Sequence, residues 1–172
     1  MELPKLIEHP VYHDHRGVFN QQPIVDYYNK DIDRLWIQSN TSVSHKKFTL
    51  RGLHFQVEPF EQTKYVKIIQ GKVLDFVVDL RKFYSGYKKI YFFELDDTKA
   101  LVVPKGFAHG LITLEDNTIV TYLTDNKYNP EKERTLQWDT VPEIRERVME
   151  LIADSELILS DKDRVGTDFN EY

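Results

Sequence analysis

Residues 64–80 read KYVKIIQGKVLDFVVDL, and this stretch decides the fold class. Two runs within it, YVKII and VLDFVV, are rich in the β-branched and aromatic residues that favour strands. The tripeptide QGK separates them, and a glycine between two such runs is typical of a tight turn. We therefore predict two strands here, joined as a β-hairpin at Gly71.

The same pattern continues toward the C-terminal end. Further strands are predicted over residues 89–95, 99–103, 110–114 and 118–124, each bounded by Asp, Asn, Gly or Pro. Strands at this short and regular spacing, without helical patterns between them, indicate a sandwich or barrel. Residues 142–153 differ, because apolar positions such as Ile144 and Val148 recur there at helical spacing among charges. The sequence thus predicts an all-β fold with one short C-terminal helical segment.

Length and charge limit the classes of function. A chain of 172 residues corresponds to a single domain, residues 1–172. The 23 basic and 28 acidic side chains give a net charge of −5, which argues against a nucleic-acid partner. The chain has no cysteine, which excludes a disulfide scaffold and a cysteine nucleophile and fits a cytoplasmic location. Its first residues do not resemble a signal peptide, and no apolar run exceeds four residues, so no membrane partner is expected.

Two segments contain a histidine: RGLHFQ at residues 51–56, in a strand-like context, and PKGFAHG at residues 104–110, which is typical of a turn entering a β-strand. Strand alternation would place Gly52 and His54 on one face and Arg51 on the other, unless Gly52 kinks the strand. Each segment alone is more typical of a core histidine than of a catalytic one. Together they resemble the two sequence signatures of the cupin barrels.

Many cupins bind a metal ion through a His-x-His pair, a carboxylate and a later histidine. In this chain the position two after His54 is Gln56, and the next carboxylates, Glu58 and Glu61, lie beyond Pro59. His54 and the later histidine are fewer imidazoles than an iron, manganese or zinc site of this kind normally uses. The sequence therefore predicts no metal, and the family resemblance that follows implies no other cofactor.

The resemblance becomes specific when the motifs are taken in order. The chain resembles the dTDP-4-dehydrorhamnose 3,5-epimerase family in eight successive stretches, which cover nearly its whole length. They are DHRGVF (14–19), QSNTS (38–42), LRGLHFQ (50–56), QTK (62–64), VDLR (78–81), PKGFAHG (104–110), YLTDNKY (122–128) and LSDKD (159–163). The resemblance implies a metal-free, cupin-type jelly-roll β-barrel, a homodimer, and a nucleotide-diphosphate sugar substrate with a 4-keto-6-deoxy sugar.

The family chemistry needs a base to remove the proton next to a ketone, an electrophile to hold the enolate oxygen, and an acid on the opposite face. By resemblance His54 is the base and Asp163 orients its imidazole, with Asp161 as the rival for that role. Lys64 resembles the lysine beside the C4 carbonyl, and Tyr122 resembles the acid.

The resemblance also implies a set of substrate-binding residues. Two arginines would clamp the diphosphate, aromatic rings would enclose the thymine, and polar groups would meet the nucleotide or sugar. These residues are Arg16, Phe19, Gln38, Asn40, Arg51, His109, Tyr128 and Trp138. A structural role in the core remains an equal alternative for Phe19 and Trp138.

The sequence departs from the family pattern at two places. Gln21 stands where the family usually has an acidic residue, and the charged stretch 142–153 replaces a short Trp-Pro segment before the final motif. Three alternatives therefore stay open. They are an epimerase or ketoisomerase acting at one carbon, a metal-dependent cupin enzyme, and a sugar-nucleotide binding module without catalysis.

Overall fold

The computed structural model describes residues 2–21 and 35–172. Over these residues the chain is mainly β-structure, followed by one α-helix, α1, at Pro142–Ile152. Short 3-10 turns cover Trp138–Thr140, Asp161–Arg164 and Phe169–Glu171. The strands are β1 (Lys5–Glu8), β2 (Val11–Asp14), β3 (Gly17–Asn20), β4 (Gln38–Ser44), β5 (Leu50–Gln56), β6 (Lys64–Gln70), β7 (Val73–Asp79), β8 (Ile90–Leu95), β9 (Lys99–Val103), β10 (Phe107–Thr113), β11 (Thr118–Thr124) and β12 (Glu133–Thr135).

Two five-stranded antiparallel sheets form the body of the fold. The first sheet has the strand order β1-β9-β6-β11-β4, and the second has the order β12-β5-β10-β7-β8. Strands β2 and β3 form a separate hairpin. The inward faces of the two sheets meet in an apolar cluster, to which the first sheet contributes Ile68 and Val120 and the second Val73 and Val77. This arrangement is the all-β barrel that the sequence predicts.

The predicted hairpin at Gly71 was wrong. Strand β6 lies in the first sheet and β7 in the second, so the two are consecutive but do not pair. Gly71 has a φ of 84°, and a Cβ at this position would lie 2.4 Å from Thr118 Oγ1. The glycine therefore permits a tight turn that carries the chain from one sheet to the other. A local turn signal cannot distinguish this crossing from a hairpin, because strand pairing depends on distant residues.

The other predicted strands agree more closely with the structure. Predicted strands 99–103 and 118–124 coincide with β9 and β11, and predicted strand 89–95 begins one residue before β8. Strand β10 begins at Phe107 instead of residue 110, so His109 lies within the strand and not in the turn before it.

Helix α1 covers the outer face of the second sheet. Its buried side chains, Ile144, Val148 and Ile152, belong to one apolar cluster with Phe76 and Val78 of β7. Proline at the first helical position suits the helix start, because its missing N–H has no intrahelical acceptor there. In the part of the chain that the structure describes, no helix is long and apolar enough to span a membrane.

Candidate active site

A cavity of about 440 Å³ lies between the two sheets. Side chains from both sheets and from the 3-10 turn at Asp161–Arg164 line its wall. Most of the site residues predicted from the sequence are brought together here. Those that line the cavity are Gln38, Asn40, Arg51, His54, Lys64, His109, Tyr122, Tyr128 and Asp163.

His54 and Asp163 form a close pair in this wall. His54 Nε2 lies 2.8 Å from Asp163 Oδ1. The carboxylate also accepts hydrogen bonds from the Gly52 amide at 3.2 Å and from the Ser160 hydroxyl at 2.7 Å. Burial alone would raise the pKa of Asp163, but the contacts with His54 and Ser160 outweigh it, so the pKa is lowered. Asp161 is exposed and does not line the cavity, so the geometry favours Asp163 as the partner of His54.

Gly52 explains how Arg51 and His54 reach the same cavity, although residues three apart in a regular strand face opposite sides. Gly52 has a φ of 122°, and the pairing of β5 with β10 changes register across Gly110. A Cβ on Gly52 would lie 2.5 Å from Gly110 Cα, so the close approach of the two strands requires glycine. The kink that the sequence left open is therefore present.

Lys64 and Tyr122 enter the cavity from the first sheet, opposite the strand that carries His54. Lys64 Nζ donates a hydrogen bond to the His54 carbonyl at 3.2 Å. Burial lowers the pKa of Lys64 to about 8, although the negative charges of Glu133 and Asp75 oppose this shift. Burial, with the nearby charge of Glu133, raises the pKa of Tyr122. At neutral pH the site therefore presents a largely protonated ammonium and a neutral phenol.

His109 is held by a residue that the sequence analysis missed. His109 Nε2 lies 2.8 Å from Oδ2 of Asp75, and both side chains are buried. Asp75 is the single charged residue in the run VLDFVV, so a sequence signal for it existed. A charge inside an otherwise apolar strand is costly and usually has a partner.

Glu133 and Lys162 also line the cavity, although neither was predicted as a site residue. The Tyr128 hydroxyl donates a 2.7 Å hydrogen bond to Glu133 Oε2, and the Lys162 ammonium contacts the same oxygen. Burial would raise the pKa of Glu133, but these two contacts outweigh it, so the pKa is lowered. Lys162 lies inside the quoted LSDKD motif, whereas no motif marks Glu133.

Gln38 and Asn40 form part of the same wall. Gln38 Nε2 donates to Asn40 Oδ1 at 2.8 Å, and Gln38 Oε1 accepts from the Tyr128 amide at 3.0 Å. These contacts fix the two amide groups at the cavity surface. They leave Asn40 Nδ2 as a donor that could meet a polar substrate.

Three of the predicted site residues do not line the cavity. Arg16 and Phe19 lie on the β2–β3 hairpin, where the Arg16 guanidinium pairs with Asp14 at 2.6 Å and the Phe19 ring packs against Tyr12. Both side chains are largely exposed. Trp138 packs in the apolar cluster beneath α1, because the 3-10 turn that begins at this residue turns its ring into the core. The structural alternative stated for Trp138 is thus the one observed.

Gln56 occupies the position at which metal-binding cupins have their second histidine. Its Nε2 donates to the carbonyls of Phe60 and Lys127, at 2.7 and 3.1 Å, and its Oε1 accepts from the Asn129 amide at 2.6 Å. The side chain thus ties two loops together through both its nitrogen and its oxygen. Within residues 2–21 and 35–172, no group of three or more His, Asp or Glu side chains is placed to hold a metal.

Comparisons with known proteins agree with this geometry. The family model described as dTDP-4-dehydrorhamnose 3,5-epimerase matches residues 3–171. A curated protein of that name from Methanothermobacter thermautotrophicus is 37% identical over 163 residues, which cover 92% of this chain and 85% of the relative.

Solved structures show the same similarity. The Legionella pneumophila epimerase RmlC, in complex with dTDP-4-keto-L-rhamnose, has a TM-score of 0.81 and 30% identity, covering 97% of this chain and 88% of the other. NovW, a 4-keto-6-deoxy sugar epimerase from Streptomyces spheroides, has a TM-score of 0.85 and 30% identity, covering 98% and 83%. The cupin-type barrel is therefore confirmed, and this chain belongs to the dTDP-4-dehydrorhamnose 3,5-epimerase family.

Proposed function

We propose that this chain is an isomerase that epimerises C3 and C5 of a dTDP-4-keto-6-deoxyhexose in deoxysugar nucleotide biosynthesis. One observation carries the proposal. His54 and Tyr122, a base and an acid, project from opposite sheets into one cavity that also holds the Lys64 ammonium. Inversion of a carbon next to a ketone needs proton removal on one face and proton delivery on the other.

His54 acts as the base. Its Nε2 faces Asp163, which leaves Nδ1 to take the α-proton of the substrate. The imidazole becomes an imidazolium in this step, and the ionised Asp163 carboxylate stabilises that charge. The hydrogen bonds from Gly52 and Ser160 hold the carboxylate in place.

Lys64 and Tyr122 complete the reaction. When the C–H bond breaks, negative charge develops on the C4 oxygen, and the Lys64 ammonium stabilises the enolate. The Tyr122 phenol then gives its proton to the carbon from the face opposite His54. Solvent then returns a proton to the resulting phenolate and takes one from the His54 imidazolium, which restores both groups. All of these steps use side chains of the protein, without a metal or an organic cofactor.

Substrate binding supports a homodimer. Arg51 lines the cavity with its guanidinium near Ser44, to which Nε donates at 3.2 Å, and it would bind the diphosphate. Arg16 and Phe19 lie outside the cavity of their own chain, on an exposed hairpin. We infer that in a homodimer this hairpin supplies both side chains to the partner's site. A single domain over residues 1–172 and a cytoplasmic location stay predictions.

A related activity at one carbon is the second candidate. The chain is 30% identical both to an epimerase in complex with dTDP-4-keto-L-rhamnose and to NovW, a 4-keto-6-deoxy sugar epimerase from the novobiocin biosynthetic gene cluster. Both activities proceed through an enolate of the C4 ketone: a single-carbon epimerase forms it toward C3 or toward C5, whereas a double epimerase forms each of the two in turn. The cavity residues described above would serve epimerisation at one carbon as well as at two.

Solvent deuterium exchange tests the proposal. The protein is incubated in deuterated buffer with a dTDP-4-keto-6-deoxyhexose, and NMR follows the hydrogens at C3 and C5. We expect label and inversion at both carbons in the wild type, and a loss of about 10² to 10⁴ in rate in His54→Asn. Exchange at one carbon would establish the second candidate. An exchange rate no higher than that of the protein-free control would show a passive binding module.

A further inference from the structure

A buried carboxylate, Asp75, contacts the site but has no part in the steps above. It lies on β7 between Val73 and Val77, on the face that packs against the other sheet. Its side chain is 0% exposed. A carboxylate in such surroundings is expensive to ionise, so its retention needs a compensating partner or a function.

Two ionisable groups face Asp75 from different strands. His109 of β10, opposite Val77 in the register, reaches diagonally across the strands so that its Nε2 lies 2.8 Å from Asp75 Oδ2. From the opposite sheet, the charge of Lys64 also acts on Asp75. Burial raises the pKa of Asp75, and these two groups oppose that rise. Among the described residues, Asp75 Oδ1 has no hydrogen-bond partner.

The charge of Asp75 also acts on Lys64. The ionisable side chains that line the cavity around it are Arg51, His54, His109, Tyr122, Tyr128, Glu133, Lys162 and Asp163. Of the carboxylates, Glu133 and Asp75 act on Lys64, whereas Lys162 opposes them. Glu133 already contacts Lys162 and Tyr128, so much of its charge is compensated there. Asp75 lies in the dry interior, where a charge acts through a low dielectric.

We propose that Asp75 is a positioning residue of the epimerase: it fixes the His109 ring through Nε2, and its charge keeps the Lys64 ammonium protonated inside the barrel. Asp75 does not line the cavity, so it acts through these two residues and not on the substrate. The role of the Lys64 ammonium in stabilising an enolate rests on the proposed function. The contacts of Asp75 with its neighbours do not depend on that function. Without a negative charge at residue 75, Lys64 would lose its proton more readily, and a smaller fraction of the protein could stabilise an enolate at neutral pH.

Acetylation of Lys64 tests, without any substrate, whether Asp75 keeps the Lys64 ammonium protonated. The neutral amine is the reactive form, so the rate of acetylation by acetic anhydride, measured by mass spectrometry as a function of pH, reports the pKa of Lys64. In the wild type, the acetylation rate should reach half of its maximum at about pH 8, the pKa of Lys64. In Asp75→Asn the midpoint should fall by roughly one pH unit, which makes acetylation at neutral pH about five-fold faster.

Asp79→Asn is the matched control. Asp79 is a buried carboxylate on the same strand and the same face, but its charge is compensated by Arg81, whose Nη2 lies 2.6 Å from Asp79 Oδ2. We expect Asp79→Asn to lower the melting temperature and leave the acetylation midpoint unchanged. An unchanged midpoint in Asp75→Asn, or an equal shift in both variants, overturns the proposal.

If Asp75→Asn does not fold, the wild type still decides the question. In protein labelled with ¹³C-aspartate, the Asp75 carboxyl must be ionised at neutral pH, and a carboxyl that is still protonated there overturns the proposal. These readouts are separate from activity. Absent epimerisation in the wild type would contradict the proposed function and leave the acetylation result standing.

Discussion

Replacing Tyr122 with phenylalanine removes one oxygen atom and should separate proton exchange from inversion. The ring and its packing against the inter-sheet cluster remain, and within the described residues the hydroxyl has no hydrogen-bond partner to lose. Tyr122 and Lys64 are the ionisable side chains that the first sheet contributes to the cavity, and Lys64 is committed to the enolate oxygen. Proton delivery from that face would then fall to water.

The loss of a positioned acid costs on the order of 10² to 10⁴ in rate, which corresponds to about 3 to 5 kcal/mol of transition-state stabilisation. His54 lies on the other sheet and keeps its contact with Asp163. Proton removal should therefore continue. In deuterated solvent the variant should incorporate label into the substrate with retained configuration, because the proton returns from the His54 side.

The assay is NMR of recovered substrate and product, which gives exchange and inversion from one sample. Tyr128→Phe is the control, because it removes a phenol from the same cavity that is hydrogen-bonded to Glu133. We expect it to weaken substrate binding and leave the ratio of exchange to inversion unchanged. A normal product yield in Tyr122→Phe, or an equal fall in exchange and inversion, would refute the assignment, and Tyr128 would become the candidate acid.

Three further predictions follow from the site. Asp163→Asn should reduce kcat by less than the loss of His54 does, since the imidazole remains, and Asp161→Asn should have no effect on kcat. If instead Asp161→Asn reduced kcat and Asp163→Asn did not, the pairing of His54 with Asp163 would be contradicted. Arg51→Ala should weaken thymidine diphosphate binding, with a smaller difference from the wild type at high salt; equal affinities in calorimetry would exclude the clamp. Burial lowers the pKa of Lys64 to about 8, so the ammonium is present below that pH and lost above it. The pH profile of kcat/KM should therefore fall on the alkaline side near pH 8, and a flat profile to pH 10 would remove Lys64 from the mechanism.

The order of motifs along the chain determined most of the family assignment and the identity of the chemistry. His54, Lys64 and Tyr122 were named from sequence, and the structure brings them to one cavity. Strand and helix positions also followed from local patterns, because alternation and helical spacing are properties of neighbouring residues. The charged helix α1 departs from the family, yet the 3-10 turn after it still brings Asp163 to His54.

Only the tertiary structure decided which strands pair and which faces meet. Residues 64–80 predict two strands, but contacts with distant strands place them in opposite sheets. Likewise, Arg51 reaches the cavity of His54 because the strand is kinked at Gly52, which lies so close to Gly110 that a Cβ on Gly52 would be 2.5 Å from the Gly110 Cα. No rule of residue spacing predicts this close approach. Asp75 was visible as one charge in an apolar strand, but its partner His109 lies 34 residues away. Charge pairing of this kind depends on the packing of the barrel, which local sequence does not encode.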